Sequence, residues 1–219
     1  MAVGADPAAG VPQLACAVED ARPLEQAAVP TLQFALRIES MTAQPIRSLL
    51  LDVQIQIAAR RRGYEDADHD KLFDLFGHRK DWGTNLRTLL WTRTTLVVPP
   101  FAASTVADLR VPCSYDLDVA AARYFDALGD GDVPLELLFS GTVFYSAPDG
   151  RLQAARIPWE LEAEYRLPVR VWRETLERHF PGTAWVRLPK RSFDRLCAYK
   201  ARHALASWDD VVDRLLGES

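Results

Sequence analysis

Between Leu49 and Ile57 the chain alternates apolar and polar residues. Leu49, Leu51, Val53, Ile55 and Ile57 stand against Asp52, Gln54 and Gln56. Successive side chains of a strand point to opposite faces, so this pattern puts five branched aliphatics on one face and polar groups on the other. A strand greasy on one side only belongs to an antiparallel sheet with one face packed and one solvated, and a second layer must cover it. The same period recurs at Leu14, Cys16 and Val18, and at Leu32, Phe34, Leu36 and Ile38, where Gln33, Arg37 and Glu39 face out. Further strands are expected at 87–98, 104–113, 133–145 and 151–165. In the last, Ile157, Trp159, Leu161, Ala163 and Tyr165 are expected to face in, and Glu160, Glu162 and Glu164 out. Pro148-Asp149-Gly150 is a hairpin turn signal. Pro112 and Pro158 mark edge or interrupted strands, because proline cannot donate to a ladder.

About seven strands separated by turns predict a two-sheet antiparallel β-sandwich in an α+β chain. One helix interrupts them, with Leu117, Ala121, Tyr124, Phe125 and Leu128 on one face and Gly129 as its stop. After Pro168 the period changes to that of a helix. Val169, Trp172, Leu176 and Phe180 form one stripe, ended by Pro181-Gly182. Phe193, Leu196, Cys197 and Ala201 form a second, and Trp208, Val211, Val212, Leu215 and Leu216 a third. Ser207 with Asp210 three residues on reads as the capping box of the third helix. The expected division is a flexible end at 1–11, a sandwich at 12–166, and a helical appendage at 167–219 packed on it. The connection at 61–86 is long for a compact domain, and loops of that length usually serve a function.

Charge is unevenly spread. The chain has 219 residues and a net charge of −4, yet residues 165–206 hold 10 basic and 3 acidic side chains against 15 and 23 in residues 1–164. On the second C-terminal helix Arg191, Arg195 and Arg202 fall within about 40° of each other at 100° per residue. Arg187, Lys190 and Lys200 lie near this stripe and Trp185 just upstream. A basic stripe with aromatic neighbours suits an acidic protein surface, and the sequence pI of 5.6 argues against nucleic acid. Six tryptophans are many for this length, and any exposed one would mark an interface.

No motif supports catalysis. There is no G-x-S-x-G, no Walker A loop and no G-x-G-x-x-G. Asp66-Ala67-Asp68-His69-Asp70 begins like a calcium loop, but Lys71 stands where the sharp turn needs glycine, and Gly77 where a bidentate glutamate belongs. His69 and His78 match no metal spacing. Cys16, Cys113 and Cys197 form neither a CxxC pair nor an iron–sulfur set, so no metal or cofactor is expected. Glu160, Glu162 and Glu164 read as a solvated strand face, and Gly129-Asp130-Gly131-Asp132 as a turn whose acids would repel phosphate. With no signal peptide pattern and no apolar run of membrane length, a cytoplasmic protein is the expectation.

The stretch LELLFSGTVFY at 135–145, followed from Ile157 by IPWELEAEYRLPVRVWRETLERHFPGTAWVRLP, resembles an uncharacterised actinobacterial protein family associated with gene clusters of nickel–iron hydrogenases. The likeness covers most of the chain from about Leu14. It implies an accessory or assembly protein and brings no catalytic residue with it. A second likeness is to export chaperones of SecB type, a twisted antiparallel sheet followed by helices, which implies a holdase. The expected function is a non-catalytic interaction protein, binding through Trp185, Arg187, Lys190, Arg191, Arg195 and Arg202. The alternatives are a ligand- or metal-binding domain or enzyme with its site under the 61–86 loop, and a SecB-like holdase.

Overall fold

In a computed structural model of the chain, which describes residues 11–42, 44–114, 119–183 and 188–217, eight antiparallel strands form two sheets. The three-stranded sheet has the order β1-β2-β5, with β1 at Leu14–Pro23, β2 at Thr31–Ser40 and β5 at Ser104–Pro112. The other sheet has the order β4-β3-β6-β7, with β3 at Ile46–Ile57, β4 at Leu89–Val98, β6 at Asp132–Ser146 and β7 at Leu152–Arg156. In it β8, Glu162–Pro168, also pairs with β6. The expected α+β sandwich is therefore present. Leu49, Leu51, Val53, Ile55 and Ile57 of β3 are buried in one core with Leu32, Phe34, Leu36 and Ile38 of β2, while Asp52 stays exposed.

Several strands depart from simple alternation, and in β2 Gln33, expected to face out, is buried. In β1 the register shifts between Val18 and Asp20, so that Ala21 becomes the buried residue of the second half. The strand expected at 151–165 is two strands. The segment between them leaves the ladder at Pro158, and Trp159 stands 83% exposed rather than facing in. Gly141 lies beside this break. Its φ is +131°, and a Cβ there would sit 2.0 Å from the Leu50 carbonyl oxygen, so only glycine lets β6 run this close to β3. Its own carbonyl accepts the Ile157 N–H at 3.0 Å, while Phe139 N–H donates to the Leu161 carbonyl at 3.0 Å, so the turn is pinned to β6 on both sides.

The connection at 61–86 is not an open loop. It folds as α1 (Asp66–Lys71), α2 (Phe73–Phe76) and α3 (Trp82–Asn85), and Asp68, Leu72, Phe76 and Trp82 are buried. Asp68 both completes the capping box of α1 with Glu65 and accepts the Gly129 N–H at 3.2 Å. Helix α4, Ala120–Ala127, supplies Tyr124 and Phe125 to the core. Leu117, expected on the same stripe, lies outside the described residues.

The chain divides into two compact units, Met1–Ala184 and Trp185–Ser219. Helix α5, Val169–His179, belongs to the first, so the division falls later than the expected 166/167 boundary. Trp172 of α5 is buried and stacks on Phe125 at 4.3 Å. The second unit holds α6, Lys190–Arg202, and α7, Trp208–Leu216. Among the described residues no helix is long and apolar enough to cross a membrane.

Candidate docking surface

The second unit is an αα-hairpin whose turn is locked by polar contacts. Lys200 Nζ donates to the Leu205 and Ala206 carbonyls at 2.7 and 2.6 Å. Ala204 takes a left-handed conformation, with φ 52°, to close the turn. Ser207 caps α7 by accepting the Asp210 N–H at 3.0 Å, and the Asp210 carboxylate accepts the Ser207 N–H at 2.8 Å, as the sequence predicts. The hydrogen bond from the Ser207 N–H, and after it the neighbouring Ser207 hydroxyl, hold the Asp210 carboxyl below its ordinary value.

A cleft of about 470 Å³ lies in this unit, lined by Ser192, Arg195, Leu196, Ala198, Tyr199 and Arg202 of α6 and by Leu215 of α7. Leu196, Ala198, Tyr199 and Leu215 give it an apolar surface, and the two arginines are exposed beside it. Among the described residues neither Arg195 nor Arg202 has an ion-pair partner. Lys190, by contrast, pairs with Asp194. Arg191 is exposed as the stripe requires, whereas Trp185 and Arg187 lie outside the described residues. The structure thus brings two members of the expected stripe to one cleft. It adds Tyr199 and Leu215, which the stripe does not include, because the cleft exists only once α7 packs beside α6.

Apolar exposure continues along α7. Trp208, Val212, Leu215 and Leu216 are all exposed, and Trp208 meets Phe193 of α6 at 5.9 Å between ring centres. No residue of α6 is buried, and Val211 is the one buried residue of α7. Lys190 and Arg191 open α6 at its N-terminus, where cations oppose the helix dipole. Their placement weakens the helix slightly, so isolated helix stability does not account for it.

The other sequence candidates belong to the first unit. His69 packs on Trp82 at 4.4 Å, and neither of its buried ring nitrogens has a hydrogen-bond partner among the described residues. His78 meets Phe73 at 4.8 Å. Asp66 pairs with Arg79 at 2.7 Å. Glu164 and Glu136, opposite each other on β8 and β6, are bridged by Arg61 at 2.5 and 3.3 Å, which relieves their like charge. Burial pushes the Cys16 and Cys113 thiols up to about 12, so neither carries reactive thiolate near neutrality. Among the described residues no three His, Cys, Asp or Glu side chains gather as a metal-binding group.

These features define a class, a two-sheet α+β protein followed by a basic helical hairpin with a half-apolar cleft. The chain belongs to the family described as "Family of unknown function (DUF6084)", whose model matches residues 11–219. No curated protein matches the chain. Among solved structures it is similar to the CARDB domain of a Pyrococcus furiosus protein in complex with di-metal ions. The identity is 8%, the match covers 71% of this chain and 91% of that one, and the TM-score is 0.28. It is also similar to a β-glucosidase from Kluyveromyces marxianus at 8% identity, covering 71% of this chain and 15% of that one, with a TM-score of 0.27. At these TM-scores neither likeness bears on fold or function.

Proposed function

We propose that this chain is a non-catalytic accessory protein whose first unit is a scaffold and whose α6–α7 hairpin docks an acidic partner protein. The observation that supports this most directly is the pairing of Arg195 and Arg202, exposed and without ion-pair partners among the described residues, with the apolar side chains of Leu196, Tyr199 and Leu215 in one cleft. Apolar contact supplies association energy, and arginines beside it select acidic surfaces and speed encounter. The resemblance to proteins of nickel–iron hydrogenase gene clusters makes a subunit or maturation factor of such a complex the first partner to test.

The test is a tagged pull-down from native extract at moderate salt, with mass spectrometry and cross-link mapping of what is recovered. A partner cross-linked to α6 or α7, and lost when Arg195→Glu and Arg202→Glu are combined, supports the reading. Recovery unchanged by that double reversal, or cross-links confined to the first unit, would overturn it.

A further inference from the structure

The docking reading above leaves open what shape the partner presents, and the geometry of the hairpin specifies it. On α7 the apolar residues Trp208, Val211, Val212, Leu215 and Leu216 cover an arc of about 140° at 100° per residue, wider than contact with one neighbouring helix can fill. Only Val211 of that arc is buried, although the turn and the capping box hold the two helices in fixed register. The hairpin is locally well made and lacks a core.

The cleft runs along α6 from Ser192 to Arg202, about 15 Å at the helical rise. Arg195 and Arg202 are seven residues apart, so they stand about 10.5 Å apart along the axis on one face. A second helix repeats one face at that same interval. An extended strand reaches about 10 Å in three residues, and an odd number of residues turns the side chain to the opposite face. A helix therefore offers two carboxylates at the spacing of the two guanidinium groups while keeping its apolar stripe in the cleft, whereas same-face positions of a strand fall at about 7 or 13 Å and match that spacing less well.

We propose that the α6–α7 hairpin is two parts of a three-helix bundle, completed by an amphipathic helix of a partner protein. That helix carries two carboxylates one heptad apart, flanking a stripe of branched aliphatic residues. It buries Leu196, Tyr199 and Leu215 and pairs with Arg195 and Arg202.

The experiment uses the full chain and three capped synthetic peptides of about three heptads each. The first has leucine at the apolar positions and glutamate at the two heptad-spaced flanking positions. The second replaces those glutamates with lysine. The third keeps the glutamates and carries a central proline, which breaks a helix. Binding is followed by calorimetry, peptide helicity by circular dichroism, and protection of residues 190–216 by amide exchange. The glutamate peptide is expected to bind in the micromolar range, gain helicity and slow exchange across both helices. The lysine and proline peptides should bind at least tenfold more weakly. With Arg195→Glu and Arg202→Glu combined, preference should invert toward the lysine peptide. Equal binding of the glutamate and proline peptides, no preference by charge, or no binding at all would overturn the proposal. So would a dimer in sedimentation that Leu215→Asp dissolves, since a second copy would then fill the cleft. If a native partner cross-links to this hairpin in an arginine-dependent way while no helical peptide binds, the docking reading stands and the helical occupant falls.

Discussion

The two units solve the problem of stability in different ways. The first buries its aliphatic strands and the rings of Phe34, Phe125 and Trp172 in one continuous core, with the half-buried Trp91 packed against them. The second has helices of good length, a capping box and a lysine-locked turn, yet one buried side chain. Local hydrogen bonds set the shape of such a hairpin but contribute only about 1 kcal/mol each, whereas each large core side chain contributes several times as much. The contrast teaches that the second unit takes its shape from local hydrogen bonds, where the first takes it from a filled core.

The largest test of this contrast is Trp172→Ala. It removes the ring stacked on Phe125 and in edge contact with Trp91, and it should cost about 3–5 kcal/mol in denaturant unfolding. Amide exchange in α6 and α7 should hardly change. If exchange there accelerates to the same degree, the two units unfold as one and the contrast fails. A smaller effect is expected where the half-buried Tyr64 meets the buried Tyr124. Tyr64 donates to the Ala59 carbonyl at 2.7 Å, so the 2.8 Å contact with Tyr124 must be donated by Tyr124. Tyr64→Phe strands both an acceptor and a donor and should cost about 1–3 kcal/mol. Tyr124→Phe removes only a donor and should cost less, and the reverse order would show that the donor direction is inverted.

Legibility in the sequence followed the length of each periodic run. Five alternating residues in β3 were enough to place its buried face, and the 100° rule put on one face of α6 the Arg195 and Arg202 that line the cleft. The error at Trp159 has a definite cause. Ile157, Trp159, Leu161, Ala163 and Tyr165 keep the alternation of a strand straight through a turn, so periodicity alone counts Trp159 as buried, and only Pro158 betrays the break. Helices α1 and α2, six and four residues long, are too short for a 3.6-residue period to show, so within 61–86 the sequence suggests no more than a helical turn at Lys71 to Phe76. The cleft was invisible for another reason. Tyr199 and Leu215 become neighbours only through the turn at 203–207, a tertiary fact that no single-helix pattern contains.

At the hairpin, Ser207→Ala should cost about 1 kcal/mol, read as faster amide exchange confined to α7. Acid should act at the same place. Because the Asp210 carboxyl is held below its ordinary value in the folded protein, its contribution is present above the unfolded carboxylate range and is lost as pH falls through the folded value. Exchange in α7 should therefore rise below about pH 4 in the wild type, and Asp210→Asn should remove that dependence. A dependence that survives Asp210→Asn would assign it to another acid and leave the cap unimportant.

The smallest effect is expected in the first unit, where His69, like Gln44 Oε1 and Arg62 Nε, has buried polar atoms without partners among the described residues. The His69 nitrogens are buried without partners among the described residues, while its ring packs on Trp82 and Tyr64. An imidazole that makes no hydrogen bond has been desolvated with nothing in return, so replacing it by an apolar ring of similar shape loses no bond and ends that desolvation. His69→Phe, which keeps the ring contacts, should stay within about 1 kcal/mol of the wild type or exceed it, by chemical denaturation of the full chain. A loss greater than about 2 kcal/mol would mean that both nitrogens are satisfied in solution, and that the insert at 66–85 uses its polar groups as fully as the sheets do.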